Sequence, residues 1–207
     1  MNLVDTITTY LIDTYDPSAI ILYGSFGDGS ANENSDFDAL VIADHSKTHD
    51  SSVIGGTVLD VFVYPADVFQ GAYDPEDFVQ VFDGKIILDK TGIAHQLQRR
   101  VLDYIAQTPL KTADEIQQEL DWCEKMLART LREDTEGYYR WHWLLCDSLE
   151  IYFDVKQLHY YGPKKALRNM ARTDPEAFRL YSLALKELSR EPLSAWVRYL
   201  RQLSDAS

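Results

Sequence analysis

The chain has 207 residues, which is enough for one large domain or two small ones. Hydrophobic residues make up 45% of it and aromatic residues 12%, so the composition supports a packed core and excludes a disordered chain. Lys and Arg number 20 against 33 Asp and Glu, a net charge of −13 that argues against nucleic-acid binding, which needs a basic surface. This acidity suits a cationic or neutral small substrate, or simply aids solubility.

Hydropathy and cysteine spacing indicate neither a membrane protein nor a secreted one. Residues 1–15 lack the basic and apolar segments of a signal peptide, and no apolar run approaches the roughly 18 residues of a membrane span. Cys123 and Cys146 lie in apolar patterns typical of helices and are expected to be buried free thiols, without the spacing of a zinc site. We therefore expect a cytoplasmic protein that contacts no membrane.

The first half of the sequence predicts a small α/β domain. Apolar residues recur every four positions from Leu3 to Tyr15, which indicates an amphipathic helix over 2–15. Short apolar runs predict four strands, over 19–23, 37–43, 57–64 and 85–89. Two further helical stretches are predicted, over 66–82 with a break at Asp74-Pro75, and over 92–107.

Residues 44–55 are mostly polar and end at Gly55-Gly56, a pattern that predicts a hairpin loop. His45 and His49 are four residues apart in this segment. Because no further metal-ligand pattern accompanies them, we interpret both as surface residues.

Three aspartates mark the strands of this domain. Asp36 and Asp38 are two apart at the start of the second strand, so an extended backbone directs both carboxylates to one face. Asp60 lies inside the third strand, where an unpaired buried carboxylate would be costly. Converging carboxylates repel one another unless a cation lies among them, and hard oxygen ligands suit Mg²⁺. The simpler interpretation of the Asp-x-Asp pair is turn chemistry after a Gly/Asn-rich loop.

A Gly-Ser pair, Gly24-Ser25, comes directly after the first predicted strand. A glycine turn lets the backbone approach a phosphate closely, and the amide groups of a following helix favour anions. Metal-binding acids beside a phosphate-binding turn indicate phosphoryl or nucleotidyl transfer.

As a set, these motifs resemble the signature of the DNA-polymerase-β-type nucleotidyltransferase superfamily. The match consists of Gly24-Ser25, ten intervening residues, Asp36-Phe37-Asp38, and the strand-borne Asp60. Gly29 and Ser35 also stand where many small bacterial members carry Gly and Ser, whereas Asp28 stands where many carry a basic residue.

The resemblance implies a nucleoside triphosphate donor, by default ATP, and Mg²⁺ as the cofactor. It implies that Asp36, Asp38 and Asp60 bind the metal and that Asp60 also helps to deprotonate the acceptor hydroxyl. It further implies that the triphosphate is bound by Gly24, Ser25 and Ser35.

The second half of the sequence predicts a helical bundle. We expect a hinge at Thr108-Pro109, with a nucleotidyltransferase catalytic domain over 1–107 and a helical substrate-binding domain over 108–207. The helices are predicted over 113–132, 137–158, from Pro163 onward, 174–190 and 192–203. The predicted fold class is therefore α+β, a small mixed sheet with flanking helices followed by a C-terminal bundle. This layout resembles that of aminoglycoside (kanamycin)-type nucleotidyltransferases, in which the helical domain shapes the acceptor pocket.

Acidic residues border the apolar faces of the first two helices of this bundle. Glu119 and Glu124 flank the face of the first, and Asp147 and Glu150 lie beside Trp143 on the second. The resemblance implies that one of these acids is the general base or holds a cationic group, and Glu119 and Asp147 are the preferred catalytic candidates. The simpler interpretation is that they are boundary and solvated residues.

Lys164 and Lys165 follow the turn at Gly162-Pro163 and give the densest positive charge in this half of the chain. We expect Lys164 to contact the triphosphate. The alternative is that both are ordinary surface lysines.

Three functions are open at this point. The leading hypothesis is Mg²⁺-dependent transfer of AMP from ATP to a hydroxyl of a small, cationic acceptor such as an aminoglycoside. The alternatives are adenylylation of a protein, as in antitoxin-type members of the superfamily, and a catalytically dead nucleotide-binding module, which Asp28 supports. The expected partners are the nucleoside triphosphate and the acceptor, with no nucleic acid, and the aromatic helical half also allows a homodimer.

Overall fold

The computed structural model describes residues 2–132 and 134–205. The chain forms two compact units that divide between Thr108 and Pro109. The first contains a six-stranded mixed sheet with flanking helices and the second is built from helices, so the predicted α+β fold class is confirmed. Within the described residues, no helix combines the length and the apolar character needed to cross a membrane.

The first unit, which we call the sheet unit, contains six strands, three α-helices and two short 3-10 helices within residues 2–108. The strands are β1 (Ala19–Leu22), β2 (Phe37–Ala43), β3 (Thr48–Asp50), β4 (Val53–Ile54), β5 (Thr57–Pro65) and β6 (Lys85–Asp89). The α-helices are α1 (Leu3–Tyr15), α2 (Gly24–Asp28) and α3 (Ile93–Gln107). The 3-10 helices span Ala66–Phe69 and Pro75–Val81.

The strands run in the order β3-β5-β2-β1-β6, and β4 also pairs with β5. The central pair, β2 and β5, is parallel, whereas β1 is antiparallel to both of its neighbours. One face of the sheet packs with Ile7 and Leu11 of α1, and the other packs with Leu97 and Val101 of α3. Because both faces of β2 are covered, its sequence is an almost continuous apolar run, which is typical of a buried strand.

The prediction that residues 44–55 form only a hairpin loop is wrong, because β3 and β4 lie in this segment. A buried side chain holds β3 in place. Asp50 accepts hydrogen bonds from the hydroxyls of Tyr10 (3.1 Å) and Tyr15 (2.9 Å) and from the backbone N–H of Ser52 (2.9 Å). These long-range bonds outweigh the weak strand propensity of a polar sequence.

The second unit, the helical unit, contains five α-helices in the described residues. They are α4 (Ala113–Arg129), α5 (Thr135–Val155), α6 (Pro163–Thr173), α7 (Pro175–Lys186) and α8 (Arg190–Asp205), with a 3-10 turn at Thr130–Arg132. The capping box predicted at Thr112 and Glu115 begins α4.

The core of the helical unit surrounds α5 and the buried Trp196 of α8. The Trp196 indole donates a hydrogen bond to Ser148 Oγ at 2.9 Å, and the Tyr181 hydroxyl donates to the backbone oxygen of Leu145 at 2.7 Å. These two hydrogen bonds satisfy the Trp196 indole and the Tyr181 hydroxyl, whereas the buried indole N–H of Trp141 in the same core has no hydrogen-bond partner within the described residues.

Asp174 joins three helices of this unit. Its carboxylate accepts hydrogen bonds from the Ala177 N–H (3.1 Å), the Tyr152 hydroxyl (3.0 Å) and the Tyr199 hydroxyl (2.8 Å). Burial acts to raise the pKa of Asp174, but these hydrogen bonds outweigh it and hold the pKa below its ordinary value.

The two cysteines differ in exposure. Cys123 is buried, as predicted, and burial raises its pKa to about 12. Cys146 is exposed, so the prediction of a second buried thiol is wrong. The reason is that Leu144 and Leu145 fill the buried side of α5 at this turn and leave the next two positions outside it.

Candidate active site

Asp38 and Asp60 lie side by side in the sheet unit. The parallel strands β2 and β5 pair Phe37 with Leu59 and Asp38 with Asp60. Partners in parallel register present their side chains on the same face, so the two carboxylates occupy neighbouring positions. Both are partly exposed. The strand that bears Asp60 therefore pairs directly with the strand that bears Asp38.

Gly24 brings its backbone directly against the Asp38 carboxylate. Its φ is +61°, a backbone conformation that residues other than glycine rarely adopt. A Cβ built on Gly24 would lie only 2.2 Å from Asp38 Oδ2. The preceding residue, Tyr23, donates its N–H to the backbone oxygen of Asp38 at 3.0 Å. The turn after β1 therefore packs onto the residue predicted to bind the metal.

Two side chains that the sequence interpretation did not assign belong to this site. The Tyr23 side chain is buried, and burial raises its pKa, with the negative charges of Asp38 and Asp60 adding to the effect. His49 of β3 places Nε2 at 2.7 Å from Asp60 Oδ1. The pairing of β3 with β5 could not be predicted from the sequence. No sequence pattern therefore indicated that His49 contacts Asp60.

The other residues predicted in this unit are placed less directly. Asp36 is exposed and comes just before β2, so strand alternation does not by itself fix its carboxylate beside that of Asp38. Ser25 lies in the first turn of α2 and is partly exposed. The Ser35 hydroxyl accepts the N–H of Asn32 at 2.9 Å and so closes the loop before β2. The roles of these residues stay predictions.

The donor set at the register pair fits a hard divalent cation. Within residues 2–132 and 134–205, no three His, Cys, Asp or Glu side chains gather into a ready metal cage. Mg²⁺ does not need one, because it keeps several waters and commonly takes only one or two protein carboxylates together with substrate phosphates. Asp38 and Asp60 supply two such carboxylates, and the absence of a side chain at Gly24 lets the turn after β1 pack against one of them.

The helical unit contains a cavity of about 520 Å³ between α4 and α5. Its lining combines four acids, one cation, an amide and two apolar side chains: Lys111, Glu115, Gln118, Glu119, Trp122, Asp147, Glu150 and Ile151. Both acids preferred in the sequence analysis, Glu119 and Asp147, therefore line one cavity with Glu150. With one lysine and four ionised acids, the lining has a formal charge of −3.

Two side chains in the cavity are held by close partners. The ammonium of Lys111 contacts Glu119 and also donates to Asp154 Oδ2 at 2.9 Å. The indole N–H of Trp143 donates to Asp147 Oδ2 at 2.6 Å. Helix spacing could not identify the groups that hold these two acids.

Glu119 is the carboxyl group of this cavity lining whose pKa is raised. Burial raises its pKa, the charges of Asp154 and Glu150 act in the same direction, and the Lys111 hydrogen bond opposes them. Its second oxygen, Oε2, is buried and has no hydrogen-bond partner within the described part of the chain. A carboxyl group with a raised pKa in a cleft is typical of an acid or base in catalysis.

The remaining candidates of the helical unit lie outside this cavity lining. Glu124 is bonded to Arg201, whose Nε donates to Glu124 Oε1 at 3.0 Å. Lys164 lies at the exposed start of α6. The proposed contact between Lys164 and the triphosphate stays a prediction.

Comparisons with known proteins identify the family to which the chain belongs. Residues 4–113, just over half of the chain, match the nucleotidyltransferase domain family. No curated protein matches. Among solved structures, a nucleotidyltransferase-like protein from Exiguobacterium sibiricum shares 14% identity over 98% of this chain and 73% of its own, with a TM-score of 0.38.

A second solved structure, a toxin-antitoxin with AMP-PNP, shares 18% identity over 56% of this chain and 94% of its own, with a TM-score of 0.35. These structural similarities are too low to carry an argument about function. The family match spans α1 to the first residue of α4, and it includes both members of the carboxylate pair and the turn that packs on it. The chain therefore belongs to the nucleotidyltransferase domain family and is a nucleotidyltransferase.

Proposed function

We propose that the chain transfers AMP from Mg²⁺-bound ATP to a hydroxyl of a small, cationic acceptor such as an aminoglycoside. The observation that carries the proposal is the register pair of Asp38 and Asp60, with the Gly24 backbone packed against one of the two carboxylates. Family membership supports a nucleotide donor, and the hard oxygen donors support Mg²⁺.

In this proposal Asp38 and Asp60 hold the metal, with Asp36 as the third ligand. When bound, the metal neutralises charge on the triphosphate and orients it for in-line displacement. Gly24 lets the turn that is proposed to bind the triphosphate pack directly against Asp38, since a Cβ at this position would collide with the Asp38 carboxylate. Ser25, Ser35 and Lys164 are the further groups proposed to bind the triphosphate.

Asp60 takes a second role, as acceptor of the proton that leaves the attacking hydroxyl. The oxygen of the acceptor then forms a bond to the α-phosphorus of ATP as the bond to pyrophosphate breaks. Glu119 and Asp147 are the alternative bases, because a positioned carboxylate within reach of the hydroxyl performs the same transfer.

The acceptor is proposed from the cavity of the helical unit. Its negative walls attract cations, and Trp122 offers an aromatic face for an ammonium group. A volume of about 520 Å³ falls in the range of pockets that hold drug-sized molecules. An amino sugar combines the cationic groups and the hydroxyls that this proposal needs.

The test is incubation of the purified chain with α-labelled ATP, Mg²⁺ and a panel of aminoglycosides and lincosamides, with Asp38→Asn as the control. We expect label on a small molecule with the wild-type chain and none with the variant. Label on a protein instead would favour protein adenylylation. Absence of saturable Mg²⁺-ATP binding would contradict the proposal as a whole.

A further inference from the structure

His49 belongs to the edge strand β3, and its side chain lies on the same sheet face as Asp60. The antiparallel pairing of β3 with β5 sets His49 opposite Phe62, and Asp60 is two residues before Phe62 on the same strand. Because residues two apart share a face, the imidazole, Phe62 and Asp60 all lie on one side of the sheet.

Two contacts fix the orientation of the His49 ring. The imidazole stacks on Phe62 with 4.6 Å between ring centroids and 29° between planes. Its Nε2 lies 2.7 Å from Asp60 Oδ1. An ionised carboxylate only accepts hydrogen bonds, so Nε2 is the donor. The stacking holds the ring, and the ring in turn restrains one oxygen of Asp60.

Three neighbouring strands therefore contribute to one cluster of side chains. His49 of β3 bonds to Asp60 of β5, and Asp60 is the register partner of Asp38 on β2. The proposed metal ligand Asp60 is thus oriented by a residue that does not need to contact the metal itself.

We propose that His49 is a positioning residue, which orders the Asp60 carboxylate for divalent-metal binding. The inference rests on the proposed metal site at Asp38 and Asp60. Hydrogen-bond partners of ligating groups reduce the ordering that must accompany metal binding, and losing such a partner typically weakens metal affinity about 10- to 100-fold.

The experiment measures Mn²⁺ affinity of the full chain from the free-ion signal in electron paramagnetic resonance, without nucleotide or acceptor. His49→Phe keeps a ring that can stack on Phe62 and removes the donor, whereas His49→Gln keeps a donor of similar reach. We expect His49→Phe to raise the Mn²⁺ Kd at least about 10-fold. We expect His49→Gln to return the Kd to within about threefold of the wild-type value.

The matched control is His95→Phe. His95 Nδ1 lies 2.6 Å from Asp89 Oδ2, so this variant removes the histidine of another His–Asp pair in the sheet unit, away from β5. The Mn²⁺ Kd of this control is expected to equal that of the wild type. Thermal melts establish whether each variant is folded. If His49→Phe does not fold, His49→Asn replaces it, because the asparagine amide is too short to reach Asp60.

Several results would overturn the inference. Unchanged or tighter Mn²⁺ binding by His49→Phe would show that the histidine does not help Asp60 or that it competes with the ion. Equal weakening in His49→Phe, His49→Gln and His95→Phe would reduce the effect to general stability. If the wild type binds no more Mn²⁺ than Asp38→Asn does, the proposed metal site itself fails, and the inference fails with it.

Discussion

The two units of the chain place their acidic side chains by different means. In the sheet unit, Asp38 and Asp60 are neighbours because the hydrogen bonds of two parallel strands set their register. In the helical unit, Asp147 is fixed by the indole of Trp143, and Glu119 by the ammonium of Lys111. Strand register fixes which carboxylates are neighbours, and His49 only orients one of them, whereas Asp147 and Glu119 each depend on a side-chain partner for their position.

The sharpest test of this contrast compares Asp60→Asn with Asp147→Asn. We expect Asp60→Asn to reduce kcat/KM for nucleotidyl transfer by at least about 1000-fold, since a catalytic metal supplies several kcal/mol of charge stabilisation. Asp147→Asn is expected to cost about 100-fold or less, the lower end for loss of a general base. Steady-state kinetics with the acceptor found in the labelling experiment measure both values. A larger loss from Asp147→Asn would move the chemistry to the helical unit.

Substitution of Gly24 is expected to have the next largest effect on catalysis. We expect Gly24→Ala to lower kcat/KM about 100-fold, since the new Cβ would displace the Asp38 carboxylate and a displacement of 1 Å costs about that much. Gly92→Ala is the matched control, with a φ of +82° but no atom within 4 Å of its Cβ position. Gly92→Ala should lose about 1 kcal/mol of unfolding free energy because of its positive φ, and Gly24→Ala should lose more because of the added collision with Asp38, as measured by urea titration. Equal kinetic losses in the two variants would refute a steric role for Gly24.

A third comparison uses a motif that both units share. Asp50 of β3 and Asp174 before α7 each accept hydrogen bonds from two tyrosine hydroxyls and from a backbone N–H. We expect Asp50→Asn and Asp174→Asn each to lower the unfolding free energy by about 2 kcal/mol, because hydrogen bonds to a charged group are lost. Denaturant unfolding of the full chain measures both changes. A loss confined to one variant would show that only one unit depends on its tyrosine-bonded carboxylate.

The smallest expected effect is the pH dependence of the same two carboxylates. Burial tends to raise the pKa of each, but hydrogen bonds outweigh it and hold both pKa values below the ordinary 3.8. A depressed pKa contributes stability that is fully present above the unfolded value and is lost as pH falls through the folded value. Unfolding free energies should therefore decrease less in each Asn variant than in the wild type as the pH falls below the ordinary value of 3.8. Parallel curves would contradict this assignment.

What the sequence made predictable follows from local patterns. The strand predicted over 37–43 has those same bounds in the structure, because burial on both faces leaves an uninterrupted apolar run. The register of Asp38 with Asp60 was not predictable, because strand pairing depends on contacts between residues that are distant in the sequence. β3 was missed since its three residues are held by tyrosines 35 and 40 positions away from Asp50 rather than by their own propensity.

The cavity of the helical unit was predictable only in part. Helix periodicity placed Glu119 and Asp147 at the edges of apolar faces. The ion pair of Lys111 with Glu119 and Asp154 was not visible, because Lys111 precedes α4 and carries no periodic signal. Such pairings depend on how helices meet in three dimensions, which single-sequence patterns do not record.

The unequal exposure of the two cysteines gives the native chain a single labelling position. The Cys123 thiol is buried and has a pKa of about 12, so it stays protonated and shielded from reagents. Cys146 is exposed and directly precedes Asp147, whose side chain lines the cavity. A maleimide fluorophore added to the unmodified protein would attach beside that cavity, and its emission would report which molecules enter without any engineered cysteine.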